Sequence, residues 1–194
     1  MELACIAVRP GAQPEAEQRF ADASRNSTFG ASLLASWHTE NGPLNRIVQL
    51  RTGMAQGAPD LADIAQSQET WPLEPFEFSP VPAPGACGPW FELRVYPFQP
   101  GELARITAQW GRAIPERVRR SPLVGVWTVR SAPLHRLVHI WAYPSLDARV
   151  GIRARAIADG IWPPTVTARP GEAPYKVESM ESWIMAPAGF SPIR

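Results

Sequence analysis

Along this chain the spacing of apolar residues changes repeatedly between a period of two and a period of three to four, and each change marks a new element. Glu2 to Val8 is a short, partly β-branched run closed by Pro10-Gly11, which predicts a first strand. Pro14 suits a first helical position, and Ala16, Phe20 and Ala23 fall at i, i+4 and i+7, so a helix with one weakly apolar face should follow. Ser32 to Thr39 and Leu44 to Arg51 read as two strands joined by the polar turn Glu40-Asn41-Gly42-Pro43. Pro59 to Gln68 leaves room only for a short second helix. Glu69 to Phe78 reads as an irregular last strand at an edge, because Pro72 and Pro75 lack the N–H that a central strand donates on both sides.

The order then recurs in cleaner form. Phe91 to Phe98 predicts a strand, Pro100-Gly101 a turn, and Leu103, Ile106 and Trp110 one helical face that Pro115 should interrupt. Leu123 to Val129 and Leu134 to Ala142 form the next hairpin. Ser145 is placed to cap a second helix and Gly160 to end it, with Leu146, Val150, Ala154 and Ile157 as its buried stripe. A loop, WPPTVTARPGEAP, precedes a closing strand from Lys176 to Met185.

The recurrence extends to residue identities. A shift of 90 positions places Leu33 on Leu123, Trp37 on Trp127, Pro43 on Pro133, Arg46 on Arg136, Val48 on Val138 and Glu2 on Glu92. The tails SQETWPLEPFEFSPV and SMESWIMAPAGFSPI align at 112 positions (Ser67 on Ser179), so the second copy carries 22 additional residues ahead of its last strand. The organisation that follows is a first, abbreviated repeat over 1–80, a Pro/Gly linker over 81–89 and a complete second repeat over 90–194. The fold class is α+β: tandem ferredoxin-like βαββαβ repeats packed sheet to sheet as an intramolecular α/β barrel, the first lacking most of its second helix.

Composition narrows the partners more than the chemistry. A formal charge of +1 provides no field for nucleic acid or for an anionic membrane, and no apolar run approaches the roughly 20 residues of a bilayer span. Cys5 and Cys87 have no metal-type spacing, and two isolated thiols suit a reducing compartment. With no signal-peptide pattern at MELACIAVRPG, the expected location is cytoplasmic.

FELRVYPFQPGELARI, then GVWTVRSAPLHRLVHIWAYPSLDAR, then VESMESWIMAPAGFSP resemble a NIPSNAP domain of the dimeric α/β-barrel superfamily, and the first copy is similar through MELACIAVRPG and SWHTENGPLNRIVQL. The resemblance implies the barrel fold and leaves a further homodimer open. It does not imply one activity, since the superfamily includes cofactor-free oxygenases, isomerases, small-molecule binders and haem enzymes.

On an unbroken strand His135, Leu137, His139, Trp141 and Tyr143 share one face. Two histidines at i, i+4 on a strand stand roughly 13 Å apart, too far to ligate one metal, and no metal site is expected. His139 is the candidate catalytic residue, as general acid or base, against the alternative of a hydrogen-bonded core histidine. His38 and His135 are expected at the surface. Arg94 and Tyr96 share a strand face with Glu92 and offer a cation and a phenol to an acidic or carbonyl-bearing ligand. Arg46 and Arg136 are expected to pair with Glu2 and Glu92 on neighbouring strands. Arg149 and Arg153 read as a solvated helix face, and the tryptophans Trp71 and Trp183 as core or contact residues. The leading expectation is a small apolar or aromatic ligand held by Arg94, Tyr96, Trp127, His139 and Trp141, without a cofactor. The alternatives are a cofactor-independent enzyme of oxygenase or isomerase type using His139, of which haem binding is a variant without an identifiable axial ligand, and a non-catalytic assembly scaffold.

Overall fold

The computed structural model describes residues 1–25, 28–53, 56–131 and 133–194. In chain order these form β1 (Glu2–Val8), α1 (Gln13–Arg25), α2 (Thr28–Ser32), β2 (Leu33–Asn41), β3 (Arg46–Arg51), β4 (Ala65–Pro72) and β5 (Glu74–Pro75). They continue as β6 (Trp90–Phe98), α3 (Leu103–Arg117), β7 (Leu123–Val129), β8 (His135–Tyr143), α4 (Leu146–Ala158) and β9 (Glu181–Pro187). Hydrogen bonding orders the described strands β4-β1-β3-β2-β9-β6-β8-β7-β5. Both β4-β1-β3-β2 and β9-β6-β8-β7 thus run fourth, first, third, second, the order of a split βαβ unit. No helix among the described residues is long and apolar enough to cross a membrane.

Two compact units share the chain: Met1–Leu73 with Pro82–Phe91 and Trp183–Arg194, and Glu74–Val81 with Glu92–Ser182. In the first, β1 is buried from Leu3 to Val8 and pairs antiparallel with β3 (Leu3↔Leu50) on one edge and β4 (Leu3↔Trp71) on the other. β2 pairs with β3, Trp37 opposite Val48, and with β9, Thr39 opposite Met185. Over this sheet Ala16 and Phe20 of α1 and Phe29 of α2 pack on Ile6, Val8 and Ile47. The Phe20 and Phe29 rings stack at 5.6 Å, and a β-carbon on Gly30 would fall 2.0 Å from the Ser24 carbonyl oxygen, so only glycine lets α2 approach α1 this closely. In the second unit β7 and β8 pair with Val126 opposite His139 and Trp127 opposite Val138, and β5 adds Pro75 opposite Trp127.

Four expectations are corrected. Pro59 to Gln68 forms a single turn instead of a helix: Asp60 Oδ1 accepts from the Ala62 N–H at 2.9 Å, Leu61 and Ile64 plug the core, and the edge of β1 captures the chain from Ala65. α3 continues through Pro115, which sits in the last turn and removes one backbone donor there. The closing strand begins at Glu181 because the amides ahead of it are used elsewhere: Lys176 N–H donates to Glu102 and Glu178 N–H to the Pro97 carbonyl. Finally, α4 is capped by Ser145 and followed by Gly160 in the left-handed region, as read, yet its apolar stripe faces outward. Val150 is 61% and Ile157 55% exposed, and Ala156 alone is buried on this helix.

Candidate functional site

The orientation of α4 follows from β6. Glu92, Arg94 and Tyr96 alternate with Phe91, Leu93 and Val95, so a core strand carries its polar residues on one face. Glu92 is fully buried and becomes the centre of that face. Its Oε1 accepts from Arg149 Nη2 at 2.6 Å, Ser182 Oγ at 2.8 Å and Arg94 Nη1 at 3.1 Å. Its Oε2 accepts from the Tyr143 hydroxyl at 3.3 Å, and Arg153 Nη1 stands 3.9 Å away, too far for a hydrogen bond. Burial alone would raise the carboxyl pKa; the Arg149 hydrogen bond and the charges of Arg94, Arg149 and Arg153 overcome it and hold Glu92 at about 2. Arg149 and Arg153 therefore do not form a solvated face: one turn apart on α4, both turn inward onto Glu92.

A second layer continues from Tyr143. Its hydroxyl accepts from Arg117 Nη2 at 3.3 Å, while Arg117 Nη1 donates to Ser121 Oγ at 2.7 Å. The Arg117 guanidinium lies 4.3 Å over the Trp141 ring and 5.6 Å from that of Trp162, which compensates part of its desolvation.

Beside this network opens a cavity of about 250 Å³. Arg94 and Tyr96 of β6, Trp110 of α3 and Arg153 of α4 meet there with Trp162 and Tyr175. The last two come from the segment after α4, which is tied to α3 at several points. Gln109 Nε2 donates to the Ala173 carbonyl at 2.9 Å, Arg112 Nη2 to Glu172 Oε2 at 2.6 Å, and Thr167 Oγ1 to the Gln109 carbonyl at 2.9 Å. Trp162 meets Trp110 edge to face at 5.1 Å. The stretch between β8 and β9 thus supplies Arg149, Arg153, Trp162 and Tyr175. Ala4, Ile6 and Phe20 stand 90 positions before Arg94, Tyr96 and Trp110, and there Ile6 packs in an apolar cluster with Phe20 and Phe29.

The structure separates the five expected ligand residues. Arg94 and Tyr96 line the cavity. His139 and Trp141 lie on the same sheet side one layer deeper, the His139 ring 5.1 Å from Tyr96 and 4.7 Å from Trp110. His139 Nδ1 accepts from Trp141 Nε1 at 2.8 Å, which places its proton on Nε2, a buried atom with no hydrogen-bond partner among the described residues. Burial first, then the Arg94 charge, lowers its pKa well below the usual range, so the ring is neutral. Trp127 points to the other sheet face, as its pairing with Val138 requires, and lies across Gly125, where a β-carbon would fall 2.2 Å from the ring. Among the described residues no three His, Cys, Asp or Glu side chains converge to hold a metal ion.

Other pairings also differ from expectation. Glu2 meets Arg51, at 3.4 Å, because the β1–β3 register puts them opposite each other; Arg46 lies opposite Ala7 and its guanidinium sits 5.9 Å from the Trp183 ring. Glu92 takes Arg94 and Arg149 as its hydrogen-bonding cations. His38 is half-buried, with Nδ1 2.8 Å from Glu17 and Nε2 3.0 Å from Glu40, and His135 meets the Phe98 ring edge to face. Trp110, Trp162, Tyr175 and the inward role of Arg149 and Arg153 escaped the sequence reading. The signal available for them was an arginine pair at i, i+4 in the stretch between β8 and β9.

The NIPSNAP family profile matches residues 91–192. A NipSnap homolog of Dictyostelium discoideum is 27% identical over 173 residues, 81% of this chain and 76% of that protein. NipSnap homolog 2 of Mus musculus is 32% identical over 138 residues, 69% of this chain; the match takes in 46% of the mouse protein, about half its length. Among solved structures, a Lactobacillus acidophilus protein with a provisional monooxygenase label superposes with a TM-score of 0.60 at 12% identity, covering 96% of this chain and 92% of that one. An anthrone oxidase-like protein gives 0.57 at 12% identity, over 96% and 90%. At such identity the likeness is one of fold.

Proposed function

This chain belongs to the NIPSNAP family, and from that premise we propose that it binds a small, largely apolar or aromatic molecule in the cavity of its second unit. The observation that carries the reading is the meeting of four aromatic side chains, Tyr96, Trp110, Trp162 and Tyr175, with two arginines around one concave space. Side chains held by packing and by the Glu92 network lose little freedom when a ligand arrives, which favours affinity. The strand orders β4-β1-β3-β2 and β9-β6-β8-β7 support a tandem ferredoxin-like chain in which only the longer copy keeps a ligand site. Native mass spectrometry of freshly purified protein tests the proposal. The wild-type chain should carry a small-molecule adduct, and a folded Arg94→Ala/Arg153→Ala variant should carry none. A wild-type chain without adduct, whose tryptophan emission is also unmoved by a library of aromatic fragments, would overturn it.

A second reading, proton transfer by His139 on a phenolic substrate, draws on the unpartnered Nε2–H. It requires substrate to reach behind Tyr96 and Trp110, and it predicts turnover that His139→Ala abolishes while the circular dichroism spectrum is unchanged.

A further inference from the structure

We infer that the ligand of this cavity is an aromatic acid, its ring stacked among Trp110, Trp162 and the two tyrosines and its carboxylate received by Arg94 and Arg153. The inference rests on the proposed small-molecule site and specifies its chemistry.

The charges around the cavity do not balance. Glu92 is one anion, and Arg94, Arg149 and Arg153 all lie within 3.9 Å of it, with Arg117 a fourth cation one hydroxyl further on. Glu92 Oε1 already accepts three hydrogen bonds, from Arg94, Arg149 and Ser182, and Oε2 accepts that of Tyr143. Little acceptor capacity is left for the remaining N–H groups. Arg153 stands 3.9 Å from Glu92, and Arg94 Nε is buried with no hydrogen-bond partner among the described residues. Both side chains border the cavity, while no Asp or Glu does. Of the carboxylates on the segment after α4, Glu172 pairs with Arg112 and Glu178 accepts from Gln99.

An incoming carboxylate supplies what the site lacks, two acceptor oxygens matched to guanidinium forks and one negative charge. Glu92 then acts as a positioning residue: it fixes Arg94 from behind and leaves Arg153 turned toward the ligand. The remaining wall is aromatic, so a planar ring occupies it better than an aliphatic chain of equal volume. A bare inorganic anion would satisfy the arginines and leave that wall uncovered.

Titration calorimetry of the full chain with 2-naphthoate, 2-naphthamide and inorganic phosphate separates these statements. Naphthoate should bind about tenfold or more tightly than the amide of the same shape, and phosphate weakly or not at all. Arg153→Gln should remove the preference for the acid, bringing naphthoate down to the affinity of the amide for that variant, while Arg153→Lys should retain part of the preference. Equal binding of acid and amide to the wild type overturns the acid assignment and leaves the small-molecule site standing. Failure of both naphthalene probes to bind, or binding unaffected by Trp162→Ala, overturns the site itself.

Discussion

Glu92 concentrates the electrostatics of the second unit on one side chain, and its removal should be felt in stability before it is felt anywhere else. Glu92→Gln keeps the shape and strands Arg94 and Arg149 in the interior, a loss of about 3–5 kcal/mol in urea unfolding. Its folded pKa of about 2 lies below the ordinary 4.5, so the contribution is complete above pH 4.5 and disappears as the pH falls from there towards 2. The wild type should therefore lose midpoint across that window, and Glu92→Gln should lose less. His38 behaves in the opposite sense. Its hydrogen bond to Glu17 outweighs burial and raises its pKa above 6.5, so the stabilisation is full below pH 6.5 and is lost as the pH climbs through the folded value. Thermal midpoints of His38→Gln should decline less than those of the wild type over that rise. Neither behaviour was legible from the residue alone: a glutamate in a strand and a histidine in a hairpin acquire their shifts from Arg149 and Glu17, partners that periodicity does not name.

At the scale of elements, α4 shows how a correct boundary can accompany a reversed face. Ser145 and Gly160 mark its ends by local backbone chemistry, and both act where the sequence puts them. Its faces depend on what lies beneath, and a buried carboxylate draws the arginine side inward against the apolar side. Val150→Glu, on the exposed side, should leave stability within about 0.5 kcal/mol, whereas Arg149→Leu should cost roughly 2 kcal/mol by depriving Glu92 of its shortest hydrogen bond. Comparing the two in one denaturant series checks the orientation directly. α2 makes the complementary case. Gly30→Ala places a methyl 2.0 Å from the Ser24 carbonyl oxygen, and the forced separation of α1 and α2 should cost about 1–3 kcal/mol by the same measurement.

For the whole molecule, Leu, Trp, Pro and Arg recur at a displacement of 90 positions in the sequence, and the strands run in the orders β4-β1-β3-β2 and β9-β6-β8-β7. Arg94, Tyr96 and Trp110 stand 90 positions after Ala4, Ile6 and Phe20, which offer neither cation nor phenol, so calorimetry with 2-naphthoate should give one site per chain, and two equal sites would contradict the asymmetry. By itself the sequence determined strands β1, β2, β3, β6, β7 and β8, helices α1, α3 and α4, the Ser145 cap, and the shared strand face of His139 and Trp141, since these rest on interactions between residues close in the chain or on a two-residue period. Tertiary structure alone decided that Arg149 would reach Glu92 across 57 positions, that Trp127 would lie on the opposite sheet face from His139, and that the segment after α4 would bring Trp162 and Tyr175 to Tyr96. The physical reason lies in α4 itself, where apolar and arginine stripes both keep helical spacing. A pattern with two regular faces does not say which is buried, and the choice fell to an anion fixed on a distant strand.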